Sequence, residues 1–172
     1  MSNTYIEKIL NRYSQKGIVV DTNLFLLWLV GLTNSERIEK FKRTKKYTIA
    51  DYKQLRELLG LFARIVTTPH ILAEVSNLAN QLNDPDRGKC LSNLQVILNN
   101  GIVEKYVLGA EISKDKKFAT FGIKDCGIKY IAPQKFLVLT DDFKLKQYLE
   151  GSGIDAINFE NLRLDIPYLK KY

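Results

Sequence analysis

Two apolar runs without polar alternation, Ile18-Val19-Val20 and Phe136-Leu137-Val138-Leu139, each end on acid: Asp21 after the first, Asp141-Asp142, behind Thr140, after the second. Strands of this kind suit a sheet covered on both faces, which in practice is a parallel sheet under helices. Parallel neighbours cannot be joined by hairpins and need long crossovers, and the intervals between strand-like runs supply helical ones. Apolar spacing predicts helices over 4–13, 22–32, 52–64, 69–82, 90–98, 118–132 and 143–149, with strands over 18–20, 65–67, 102–108, 135–140 and 154–159. Lys16-Gly17 stops the first helix, and Thr68-Pro69 opens another with a capping hydroxyl and a proline whose missing N–H costs nothing there. The expected fold is therefore α/β, a three-layer α/β/α sandwich around a mostly parallel sheet of about five strands built from right-handed crossovers.

Length and composition are consistent with that. The 172 residues suit a single domain over 1–172, with a basic and helical insertion at about 33–64. Hydrophobic residues at 45% and only four prolines and ten glycines exclude disordered and low-complexity classes. Two cysteines, Cys90 and Cys126, are too few for a disulfide framework and lack the close partners of a zinc site, which points to a reducing, cytoplasmic compartment. The first residues lack the apolar stretch of a secretion signal, and the most apolar run, 18–32, is shorter than the roughly 20 residues of a membrane span. A balance of 26 Lys and Arg against 19 Asp and Glu leaves +7, suited to a polyanionic partner.

Most of those acids read as solvated surface; a few do not. Glu74 falls among Ile71, Val75 and Leu78, inside the apolar stripe of its helix, and Asp125 has Phe121, Ile128 and Ala132 as its i−4, i+3 and i+7 neighbours. A carboxylate on a packed face must be neutralised, paired with a cation or bound to a metal. Asp21 and the Asp141-Asp142 pair stand at the carboxyl ends of strands, where open parallel sheets form ligand crevices. Carboxylates gathered there, with no histidine, cysteine or arginine in the same motifs, make a hard-oxygen site for Mg2+ or Mn2+ rather than zinc. Such a site performs phosphoryl chemistry by activating water and neutralising the attacked phosphate.

Val19-Val20-Asp21-Thr22-Asn23, Thr68-Pro69-His70-Ile71-Leu72-Ala73-Glu74, Asp125 within a helix, and Val138-Leu139-Thr140-Asp141-Asp142 occur in the order in which PIN-domain ribonucleases carry their acids. The chain resembles that family over about 17–159. The resemblance implies a metal-dependent endonuclease acting on RNA, with Asp21, Glu74, Asp125 and Asp142 as acidic catalytic and metal ligands and Mg2+ or Mn2+ as cofactor. The Thr-x-Asp spacing selects Asp142, while a turn shifted by one residue would select its neighbour Asp141. Consecutive residues leaving a strand face opposite ways, so one of the two should face the pocket while the other meets solvent or caps the following helix. Residues 33–64 make the connection between Asp21 and Glu74 longer than in the small toxins of toxin-antitoxin pairs.

Asn23 and Thr140 match positions where an amide or hydroxyl orients a carboxylate or a metal-bound water, and Asn23 could equally serve as a cap. His70 is not assigned as a base, because metal-bound water needs none. Arg37, Lys40, Lys42, Arg43, Lys45 and Lys46, with Lys114, Lys116, Lys117 and Lys124, are candidates for a phosphate-binding rim around the acids. Trp28, at helical spacing from Leu24 and Leu32, reads as core. The partners implied are RNA, with DNA open, an inhibitor or antitoxin protein, and a second copy of the chain. The alternative is a catalytically silent PIN-like module that binds RNA or protein. A receiver-type phosphoacceptor would want its acidic pair after the first strand, and phosphatases of the haloacid dehalogenase type need a second Asp where this chain has Asn23.

Overall fold

In the computed structural model, which describes residues 3–163, Ile18–Val20 form strand β1 with all three side chains fully buried. Helix α1 (Asn3–Tyr13) precedes it, and α2 (Thr22–Thr33) follows after one residue. Then come α3 (Ile49–Gly60), β2 (Ile65–Thr67), α4 (Pro69–Ala79), α5 (Asp86–Asn100), β3 (Ile102–Glu104), α6 (Gly109–Ile112) and α7 (Phe118–Ile131). The described chain closes with β4 (Leu137–Thr140), α8 (Phe143–Glu150), β5 (Ala156–Asn158) and α9 (Phe159–Arg163).

The five strands form one sheet, all parallel, in the order β3-β2-β1-β4-β5. Helices cover it in an α/β/α sandwich, as the unalternating strand residues require. The chain runs outward from β1 through β2 to β3, then returns past β1 to place β4 on its other side. The reversal of direction between β1 and β4 opens a crevice outside their carboxyl ends. Val20 pairs with Leu139 in that register, so Asp21 and Thr140-Asp141-Asp142 leave the sheet side by side.

Several boundaries move, each for a local reason. Helix α3 starts at Ile49 rather than 52 because Thr48 and Asp51 form a capping box: Thr48 N–H donates to Asp51 Oδ2 at 2.7 Å, and Asp51 N–H to Thr48 Oγ1 at 3.2 Å. It ends at Gly60, short of 64, and α4 ends at Ala79, short of 82. Helix α5 begins earlier than 90, and the short helices α6 and α9 were not expected from the apolar spacing. Helix α7 is broken at Gly122, whose φ of 70° lies in the left-handed region that glycine tolerates.

Residues 33–48, expected as an exposed excursion, are packed on one side. Ile38, Phe41, Thr44 and Tyr47 are buried at intervals of three, and the cations between them are exposed. The segment opens with a 3-10 turn over Ser35–Arg37 and continues in turns closed by bonds such as Thr44 N–H to Phe41 O and Tyr47 N–H to Thr44 O. Three residues per turn puts every third side chain on one face, a period that a search at 3.6 passes over. Among the described residues no helix is long and apolar enough to cross a membrane.

The insertion is seated on α2 through Gly31. A Cβ there would lie 2.2 Å from the Tyr52 ring of α3, so only glycine lets the two helices approach this closely. Gly31→Ala should destabilise the protein by about 1–3 kcal/mol despite the better helix propensity of alanine. Urea unfolding of the single variant, and of a double variant with Tyr52→Leu that removes the obstructing hydroxyphenyl ring, reads this; the second change should recover part of the loss.

Candidate functional site

Asp21 is the hinge between the two strand exits. Its backbone N–H donates to Leu139 O at 2.9 Å, which continues the β1–β4 pairing by one residue and turns the carboxylate into the crevice. That carboxylate is 3% exposed and fully engaged. Oδ1 accepts from Thr22 N–H at 2.7 Å and from Lys124 Nζ at 2.8 Å, while Oδ2 accepts from Thr140 Oγ1 at 2.8 Å. Thr140 Oγ1 in turn accepts from Asp142 N–H at 3.0 Å, so one hydroxyl couples the exit of β4 to that of β1.

Lys124 stands among three carboxylates. Its ammonium lies 2.8 Å from Asp21 Oδ1, 3.1 Å from Asp125 Oδ1 and 3.6 Å from Glu74 Oε2. Burial works against its charge, yet the attraction of Asp21, Asp125 and Glu74 outweighs that and holds its pKa above the ordinary lysine range. Asp125 is disposed the other way. Burial, which Lys124 only partly offsets, together with the nearby charges of Asp21 and Asp142, raises its pKa from 3.8 to about 6. Its Oδ1 is buried and, among the described residues, takes no hydrogen bond; its contact with Lys124 is ionic only. Glu74 accepts from Thr22 Oγ1 at 2.6 Å.

The structure thus gathers Asp21, Glu74 and Asp125, and it corrects the route by which the sequence led there. Glu74 does not lie in the packed face of α4: Ile71, Val75 and Ala79 are the buried stripe, and the Glu74 side chain is 46% exposed at its edge. Asp125 does not share a helical face with Phe121, because the break at Gly122 separates them and Phe121 stacks on Tyr148 instead, with ring centroids 4.1 Å apart. Lys124 is not part of an outer rim. It is the partner cation of the acids, one residue from Asp125 in the chain.

The adjacent acids Asp141 and Asp142 take opposite parts. Asp142 caps α8, its Oδ1 accepting from Lys144 N–H at 2.7 Å and Leu145 N–H at 3.1 Å, and its charge still acts on Asp125. Asp141 is neither cap nor solvated surface. Its side chain is 2% exposed and accepts from Tyr47 Oη at 2.6 Å, Asn23 Nδ2 at 3.1 Å and the Lys46 ammonium. Burial alone would raise its pKa, but the bonds from Lys46, Tyr47 and Asn23 hold it below the usual carboxylate range. Thr140 orients Asp21 as expected of a supporting hydroxyl, whereas Asn23 orients Asp141.

The other cations divide into four groups. Lys46 reaches the strand exits through Asp141, but Arg37 pairs with Asp86, and Arg43 donates to Gln81 Oε1 at 2.8 Å, both toward the α4–α5 connection. Lys40, Lys42 and Lys45 are exposed between them. Lys114, Lys116 and Lys117 border a separate groove with Asp115, Tyr130 and Tyr148, away from the acid cluster. Trp28 is half-buried, set edge-on to Phe25. Two contributors went unnoticed in the sequence: Thr22, which carries Glu74, and Tyr47, which carries Asp141. The tripeptide Asp21-Thr22-Asn23 holds the signal for the first, since a hydroxyl and an amide flank the acid.

Among the described residues no group of three or more His, Cys, Asp or Glu side chains is placed to hold a metal ion, and the ammonium of Lys124 lies where the acid oxygens meet. The donor set is nonetheless all carboxylate oxygen, and the buried Asp125 Oδ1, which takes no hydrogen bond, faces the Lys124 ammonium at 3.1 Å. Carboxylate oxygen is the donor type that a hard divalent cation takes. Compared with models of known protein families and with curated protein sequences, the chain matches none.

Removing these carboxylates should have opposite effects. An acid whose pKa is raised on folding binds more protons folded than unfolded, so Asp125 costs stability increasingly as pH rises from about 4 to about 6, and the full cost remains above that. Asp125→Asn should therefore melt above the parent at pH 7.5 without metal, on the order of 1 kcal/mol, with the difference gone near pH 4. Asp21→Asn loses a charged acceptor with three donors and should be destabilising by about 1–3 kcal/mol. The two acids thus differ although they share one crowded site, because Asp21 has its full set of donors and Asp125 does not.

Asp141 has a depressed pKa, so its contribution is present above about pH 4 and fades as pH falls further. Asp141→Ala, which leaves Lys46, Tyr47 and Asn23 without their acceptor, should cost more stability at pH 7 than Asp142→Ala, whose loss is that of a helix cap at about 1 kcal/mol. Thermal melts of the two variants from pH 7 to pH 3 check the order, and the Asp141→Ala deficit should narrow toward the acid end.

Proposed function

We propose that this chain is a PIN-like, Mg2+- or Mn2+-dependent endoribonuclease that hydrolyses phosphodiester bonds in the crevice between the β1 and β4 exits. The observation that carries the reading is the convergence of Asp21, Glu74 and Asp125 on one cationic centre at the reversal of strand order. These three would hold the divalent cation, with Asp142 beside Asp125 as the fourth acid. A bound divalent cation would supply Lewis-acid polarisation of the phosphoryl group and a water of lowered pKa.

The protein's own groups do the rest. Thr140 and Thr22 N–H keep Asp21 facing the crevice, and Thr22 Oγ1 keeps the half-exposed Glu74 turned toward it. Lys46, held at the crevice by Asp141, offers a positive charge to a phosphate backbone, as the excess of +7 does over the whole chain. Contacts of this kind position a backbone without reading bases.

A catalytically silent RNA- or protein-binding module is the second reading, and the observation favouring it is that Lys124 already neutralises the cluster. Labelled structured RNA and DNA, incubated with the protein in Mg2+, Mn2+ and EDTA, distinguish the two. The nuclease reading expects metal-dependent internal cleavage of RNA, absent in EDTA and reduced roughly 100-fold or more in Asp21→Asn and Glu74→Gln folded at the assay temperature. RNA retained on the protein but uncut with either metal would assign the silent module, and cleavage of DNA alone would move the substrate class.

A further inference from the structure

Resting on the metal-centre reading above, we propose that Lys124 is a tethered counter-cation, whose ammonium holds the acid cluster together without metal and leaves it when a divalent cation binds. Three carboxylates brought this close repel one another, and burial deprives Asp21 and Asp125 of most of the water that would screen the repulsion. Lys124 answers this, with its Nζ within 3.6 Å of all three.

Its contacts are those of an occupant rather than a neighbour. The oxygens it touches, Asp21 Oδ1 and Asp125 Oδ1, belong to the acids that would hold the metal, and Asp125 Oδ1, buried and lacking a hydrogen bond, has the ammonium as its ionic partner. A divalent cation held through the same oxygens would stand close to the ammonium, and their mutual repulsion in a half-buried site disfavours both being in place at once. Lys124 also has a way out. Its side chain is 24% exposed, it follows the chain break at Gly122, and a flexible four-carbon stem lets the ammonium swing toward the crevice mouth while its Cα stays in α7.

Competition by a tethered group reduces apparent metal affinity in proportion to the fraction of time the site is free. Lys124→Met should thus bind Mn2+ roughly tenfold or more tightly than the parent in calorimetric titration, corresponding to an ammonium in place about nine-tenths of the time. The same variant should melt lower in EDTA and gain more from added Mn2+. Lys124→Arg, whose planar fork grips carboxylates at two points, should bind Mn2+ more weakly than the parent.

A second measurement needs no substitution. The acetylation rate of Lys124 by an amine-reactive ester, followed by mass spectrometry, should rise severalfold when Mg2+ is added to the unaltered protein. If Mg2+ leaves that rate unchanged while Mn2+ and Mg2+ are seen to bind calorimetrically, the ammonium stays in place and the exchange is overturned although the metal centre stands. Equal Mn2+ affinity of the parent and Lys124→Met has the same meaning. Should neither protein bind either metal, the metal-centre reading itself fails, and the exchange with it.

Discussion

Three carboxylates meeting in one crevice, two of them largely buried, need a positive charge between them, and much of this molecule is organised around where that charge sits. The all-parallel sheet with its reversal between β1 and β4 delivers Asp21 and the β4 exit to the same place. Helix α4 brings Glu74 to the rim, and the second half of α7, redirected at Gly122, brings Lys124 and Asp125 together. Because Lys124 contacts all three acids, the β1 exit, α4 and α7, distant in sequence, share one electrostatic contact. Disturbing any of them changes the charge balance of the others.

A second acid–cation contact lies beside the first and does a different job. Asp141 gathers Lys46, Tyr47 and Asn23, tying the packed turns of 33–48 to the end of β4. Seen this way the insertion is part of the crevice wall, anchored at one end by Gly31 against Tyr52 and at the other by Asp141. Its cations diverge for the same reason. Lys46 follows Tyr47 to the crevice, while Arg37 and Arg43 follow the turns back toward Asp86 and Gln81.

The strands were legible because their residues are apolar without alternation, which admits few arrangements other than burial on both faces. Asp21, Asp125 and the Asp141-Asp142 pair were legible as anomalies, acids placed where solvated acids do not belong. Glu74 lies at the edge of its stripe rather than within it: a helix stripe drawn at 3.6 residues per turn includes its edges, and an edge position opens onto the crevice rather than the core. Residues 33–48 failed for a matching reason, since a three-residue period is invisible to a helical search.

Local chemistry in the chain determined the strand runs, the Thr68-Pro69 helix start, the acids at strand ends and the all-oxygen character of the site, because each depends on neighbours a few residues away. What only tertiary structure decided was the pairing of charges. Lys124 lies next to Asp125 in sequence, yet its closest carboxylate is that of Asp21, 103 positions away, and Asp141 rather than Asp142 received the Lys46 ammonium and the Tyr47 hydroxyl. Which of two adjacent side chains enters a crevice depends on the angle at which the strand exit meets the helix that follows it. That angle is set by packing against elements far along the chain, so no local pattern carries it.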